Sequence, residues 1–70
     1  ADDILGIEIK SGRSVSPVDC RGLFSLAETV GRYKPVNKWI IYTGSRRQLM
    51  ENGVHVLPYT EAIEALEASD

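Results

Sequence analysis

A single cysteine, Cys20, and a single histidine, His55, in 70 residues exclude two kinds of framework at once. One cysteine cannot close an internal disulfide, and together with one histidine it cannot build a cysteine-rich zinc cluster. The same scarcity fits a reducing compartment, and the chain reads as cytoplasmic. No apolar run approaches the roughly 20 residues that a membrane-spanning helix needs, so a membrane partner is not expected. No Gly-rich phosphate loop ending in Lys-Ser or Lys-Thr occurs, so these residues do not carry a nucleotide-hydrolysing module. Aromatic residues are few at 7%. Trp39, Tyr42 and Tyr59 are spaced as core and interface residues, without the clustered platform of a single-strand binder. Length is short as well. A chain of 70 residues makes at most one domain, 1–70, and buries only about 60% of its unfolded surface, so a complete enzyme is not expected.

What remains is the composition of a soluble globular chain, 43% hydrophobic and 26% charged. Its net charge of -2 conceals a division. All eight Lys and Arg lie between Lys10 and Arg47, opposed there only by Asp19 and Glu28. A basic middle between acidic ends suits an anionic partner, although scattered basic residues are also what an ordinary solvated surface carries.

Ile4 to Gly12 is the stretch around which the chain is organised. Leu5, Ile7 and Ile9 alternate with Gly6, Glu8 and Lys10, which predicts a strand with one apolar face and one face bearing a carboxylate beside an ammonium. Asp2 and Asp3 just before it read as a turn or a frayed acidic end. Because Ala1 leads almost directly into a strand, the chain reads as a C-terminal piece of something longer. Ser11 and Gly12 end the strand near Lys10.

Ser16, Pro17 and Asp19 supply an N-cap, a proline at the first helical position and an acid three residues after the cap. They predict a helix over 17–30. Its apolar face carries Cys20, Leu23, Leu26, Ala27 and Val30, and Gly31 is placed to end it in a left-handed cap. Gly22, inside this helix, costs about 1 kcal/mol relative to Ala and implies close approach of helix to sheet. Cys20 reads as a small buried residue, not a nucleophile.

Trp39 to Thr43 predicts a second, buried strand, ended by Gly44. A strand, a helix and a strand with this spacing make a right-handed parallel crossover, with Leu5, Ile7 and Ile9 facing the helix and Glu8 and Lys10 facing away. Asn52-Gly53 marks a turn before a third strand over 54–57 containing His55, which reads as a surface or partner-satisfied residue, with Pro58 closing the strand. Thr60 is placed to cap a last helix, with Ala62, Ile63 and Leu66 packing and Glu61, Glu64 and Glu67 in water. The expected class is α/β: a small, mostly parallel three-stranded sheet with two helices.

The runs Gly6-Ile-Glu-Ile-Lys-Ser, Pro17-Val-Asp-Cys-Arg-Gly-Leu, Leu26-Ala-Glu and Ile40-Ile-Tyr-Thr-Gly-Ser resemble the C-terminal domain of unknown function carried by many prokaryotic AAA-type ATPases. That domain is similar to the PD-(D/E)xK, or restriction-endonuclease-like, nuclease superfamily. The resemblance implies a partial restriction-endonuclease-like core in which Glu8 and Lys10 are the Glu-x-Lys catalytic pair and Glu8 is a ligand to Mg²⁺. It also implies a parent ATPase as partner and nucleic acid as a contact. Arg46 and Arg47, which follow the C-terminal end of the second strand where parallel sheets place ligand contacts, and Arg13 are the candidates for that contact, although solvated loop residues are the commoner explanation of such arginines. In active members a second acid, on the preceding strand, shares the Mg²⁺. Asp3 cannot take that place, because five residues along one strand put it about 16 Å from Glu8.

Three functions follow in order of preference. The first is a nuclease-like accessory domain of an ATPase, nonenzymatic over these 70 residues and without a cofactor of its own. The second is a metal-dependent DNA endonuclease, with its site completed by residues upstream of Ala1 and Mg²⁺ held by the complete domain. The third is a purely structural domain in which Glu8 and Lys10 form an ordinary ion pair. An unpaired first strand is also expected to drive association into a homodimer.

Overall fold

The structure is a computed structural model that describes residues 3–68. Its elements are β1 (Ile4–Ile9), a 3₁₀ turn (Pro17–Cys20), α1 (Arg21–Val30), β2 (Val36–Tyr42), β3 (Gln48–Leu49), β4 (His55–Pro58) and α2 (Tyr59–Ala68). The four strands form one sheet in the order β1-β2-β4-β3. β1 and β4 both run parallel to β2, and β3 runs antiparallel to β4. The class is therefore α/β with a mostly parallel sheet and two helices. The sheet has four strands where three were expected, because two residues of β3 are too few to show an alternation. β2 also begins at Val36, earlier than its apolar run suggests.

Register assigns the faces. Glu8 is level with Ile40, and Ile40 with Val56, so these three share one face of the sheet. On that face Cys20 and Leu23 pack with Ile40, Tyr42, Val54 and Val56 as the buried core, flanked by Val15 and Met50. The other face carries Ile7, Trp39 and His55 at one level and Ile9, Ile41 and Leu57 at the next. There α2 packs on β4 and β2, and Ala62 and Leu57 are buried.

This assignment reverses the expected orientation of β1. Leu5, Ile7 and Ile9 do not face α1 and stay 36%, 40% and 76% exposed. Gly6 and Glu8 lie under the helix instead. The cause is steric. A Cβ on Gly6 would stand 2.9 Å from Leu26 Cδ2 and 3.3 Å from Leu23 Cδ2, so only a bare backbone lets α1 come this close to the sheet edge. The apolar residues that α1 needs come from β2 and β4, which leaves the β1 side chains on its face free to be polar.

Three local expectations are also corrected. The first turn at Pro17 is 3₁₀, and only from Arg21 is the helix α. Gly31 has φ -64 and ψ -13, an ordinary right-handed conformation, and its N–H donates to Ala27 O at 2.7 Å. Gly31 has a packing role, because a Cβ there would run into the Ala27 carbonyl. At α2 the helix begins at Tyr59, so Thr60 lies inside its first turn, and Ile63 and Leu66 are 53% and 37% exposed. Asp3 precedes β1 in exposed, irregular backbone, and Asp2 lies outside the described residues. Among the described residues no helix is long and apolar enough to cross a membrane.

Candidate functional site

Two groups of polar side chains gather near the C-terminal end of β1. The first contains Glu8 and Lys10, which the two-residue period of the strand places on the α1 side. They do not pair with each other. Lys10 Nζ donates to Asp19 Oδ2 at 2.6 Å, with the two side chains 30% and 21% exposed. The same Oδ2 accepts from the Ser16 N–H at 2.8 Å and from the Ser16 hydroxyl at 3.3 Å. Asp19 is therefore both the carboxylate half of a capping box and the partner of the lysine. Ser16 is the N-cap of the 3₁₀ turn, as expected, in extended backbone with φ -124 and ψ 166, and its carbonyl accepts from the Asp19 N–H at 3.0 Å.

These bonds hold the Asp19 carboxyl below the ordinary value of 3.8. The Lys10 hydrogen bond is the largest cause and the Ser16 N–H the next, against an opposing effect of burial. Glu8 reaches the start of α1, where its Oε1 would lie 3.2 Å from a Cβ on Gly22. The expected reason for Gly22, close approach of helix to sheet, thus has a specific partner in Glu8.

A hard cation such as Mg²⁺ takes about six oxygens in octahedral geometry, with one or two carboxylates as anchors. These residues do not fit it. Among the described residues no three His, Cys, Asp or Glu side chains are grouped to hold a metal. Of the two acids here, Asp19 already accepts three hydrogen bonds on one oxygen, one of them from an ammonium that repels a cation.

Of the second group the sequence marks the arginines, Arg13, Arg46 and Arg47, but not which of them meet. Arg13, from the loop after β1, and Arg46, from the loop after β2, line one cavity of about 330 Å³ together with Tyr42, Gly44, Ser45 and Gln48. Arg47 is exposed and does not line it. Thr43 ties the two loops together. Its hydroxyl lies 3.0 Å from both the Ser11 and Gly12 carbonyls, and its N–H donates to Gly12 O at 3.3 Å.

Tyr42 holds the second loop from beneath. Its hydroxyl donates to the Arg46 carbonyl and accepts from the Arg46 N–H at 3.2 Å and from Gln48 Nε2 at 3.4 Å. Gly44 has no side chain because the Tyr42 ring occupies the place of its Cβ. Neither Tyr42 nor Thr43 had signalled such a role, since a strand run of apolar and aromatic residues says only that the segment is buried. For Asp19 the signal was there in the Ser16 to Asp19 spacing, but that spacing predicts a cap and says nothing of Lys10.

The cavity formed by Ile9, Lys10, Ser11, Ile41, Tyr42, Thr43 and Tyr59 adjoins this region and is mainly apolar. His55 is half-buried on the α2 side of β4 with no grouping of metal-ligating side chains around it among the described residues.

A family model described as a domain of unknown function (DUF4143) matches residues 1–62. No curated protein and no solved structure matches the chain.

Proposed function

We propose a role for a chain that belongs to the DUF4143 family of domains of unknown function: it is a nuclease-like accessory domain of an AAA-type ATPase, nonenzymatic over these residues, that makes partner or nucleic-acid contacts. The observation that carries the reading is the fate of the Glu-x-Lys pair. Glu8 and Lys10 share one face of an edge strand, as the resemblance requires, yet the ammonium that would serve an attacking water is bound to Asp19 at 2.6 Å. A lysine held by a carboxylate is a fixed structural charge. Glu8 alone is one anchor where a catalytic Mg²⁺ needs a grouped set of oxygens. The scaffold is thus compatible with the nuclease frame, and its charged residues are arranged for rigidity and contact.

The test has two parts. Titration with Mg²⁺ or Mn²⁺, followed through the amide signals of Glu8, Lys10 and Asp19, should show no saturation at micromolar metal. A plasmid-nicking assay should show no cleavage. Saturable micromolar binding, with nicking abolished by Lys10→Ala, would overturn the nonenzymatic reading in favour of a metal-dependent endonuclease.

A further inference from the structure

We infer that the cavity between the β1–α1 and β2–β3 loops is a phosphate-recognition site for a nucleic-acid backbone, with Arg13 and Arg46 as its two binding groups. This rests on the nucleic-acid half of the reading above and gives that contact a place. Four observations converge on it.

The first is charge. Arg13 and Arg46 come from separate loops and meet at one cavity whose lining holds no carboxylate. The second is that both guanidinium groups are available. The one salt bridge among the described residues joins Lys10 to Asp19, and the bonds made by Arg46 use only its backbone. Two unpaired like charges side by side repel, and an anion between them relieves this. Guanidinium forks match phosphate oxygens in geometry as well as in charge.

The third observation is preorganisation. Thr43 links the two loops, and Tyr42 clamps both backbone groups of Arg46, so the backbones that carry the arginines are held together before a ligand arrives. Loops that need no reordering on binding lose less entropy. The fourth is position. The cavity lies at the C-terminal ends of two adjacent parallel strands, where open α/β sheets receive their ligands. The polar groups of Ser45 and Gln48 supply further hydrogen-bonding capacity. Guanidinium groups reach phosphate oxygens on any sequence, and the contact inferred is to the backbone.

The experiment follows amide signals of the full chain during two titrations, one with inorganic phosphate and one with a short oligothymidylate. Parallel affinity measurements are made over a range of salt. Arg13→Ala and Arg46→Ala are the test variants. Both should fold, since neither side chain has a partner to lose and Arg46→Ala keeps its backbone bonds to Tyr42. Lys34→Ala, at the opposite end of β2, is the control.

The expected result is that the oligonucleotide shifts the amides of 12–14 and 44–47. Each arginine variant should weaken binding and lower the slope of log K against log salt by about 1, while Lys34→Ala does neither. Binding that shifts other residues and is indifferent to both arginine variants would overturn this site while leaving a nucleic-acid role standing. Saturation by phosphate without any response to the oligonucleotide would overturn the backbone as ligand. Silence in both titrations would overturn the site and the nucleic-acid half of the proposed function together.

Discussion

At the scale of single residues, one oxygen of Asp19 joins the end of β1, through Lys10, to the entry of the helix, through Ser16. Its folded-state pKa is lowered, chiefly by Lys10 and then by the Ser16 N–H. A carboxyl lowered on folding stabilises the native state above its unfolded value, and that contribution is lost as pH falls through the folded value. Stability should therefore decline as the pH drops below 3.8, and Asp19→Asn should flatten that part of the decline while lowering stability at neutral pH. Denaturant midpoints measured across an acid series check this. An acid slope identical in the variant would remove Asp19 from the account.

At the scale of elements, α1 is held against the sheet edge by two glycines with opposite tolerances. At Gly6 an added methyl would meet Leu26 Cδ2 and Leu23 Cδ2, and Leu23 is buried in the core with no room to withdraw. At Gly22 it would meet only the carboxylate end of Glu8, a flexible side chain on an exposed residue. The helical cost of glycine, up to about 1 kcal/mol, should therefore be recoverable at Gly22. Gly22→Ala is expected to raise stability by up to that amount and to shift the Glu8 side chain, read from denaturation midpoints and from Glu8 chemical shifts. A loss of stability would mean that the Glu8 carboxylate cannot move away from the helix.

At the scale of the whole molecule, one face of the sheet is completed and the other is not. The α1 side encloses Cys20, Leu23, Ile40, Tyr42, Val54 and Val56, whereas on the other side α2 lies over β4 and β2 and leaves the apolar residues of β1 in contact with water. β1 is also an edge strand. The N–H groups of Ile4 and Lys10 point inward to Pro35 and Ile41, so alternation turns those of Leu5, Ile7 and Ile9 outward. Two copies paired antiparallel about Ile7 would set Leu5 against Ile9 of the second copy and Glu8 against Gly6, giving a continuous apolar row with no like charges opposed. Sedimentation is expected to show a concentration-dependent dimer, and Ile7→Lys a monomer of unchanged fold. A monomeric parent chain at high concentration would argue against the pairing.

The amino-acid sequence by itself determined the order of β1, α1, β2, β4 and α2, though not β3, together with the parallel crossover, the burial of Cys20 and the shared face of Glu8 and Lys10. Each of these depends on local periodicity, capping residues or the length of a connection, which neighbouring residues specify. Tertiary structure alone decided which face of β1 meets α1, because alternation reads the same with its two faces exchanged and only the fit of Leu23 and Leu26 over Gly6 breaks the symmetry. It also decided that Lys10 pairs with Asp19 and not Glu8, and that Arg13 and Arg46, but not Arg47, line one cavity. Those meetings depend on how the crossover returns one loop beside another. A chain read residue by residue carries the charges, but the distance between them exists only once the sheet has brought the ends of β1 and β2 together.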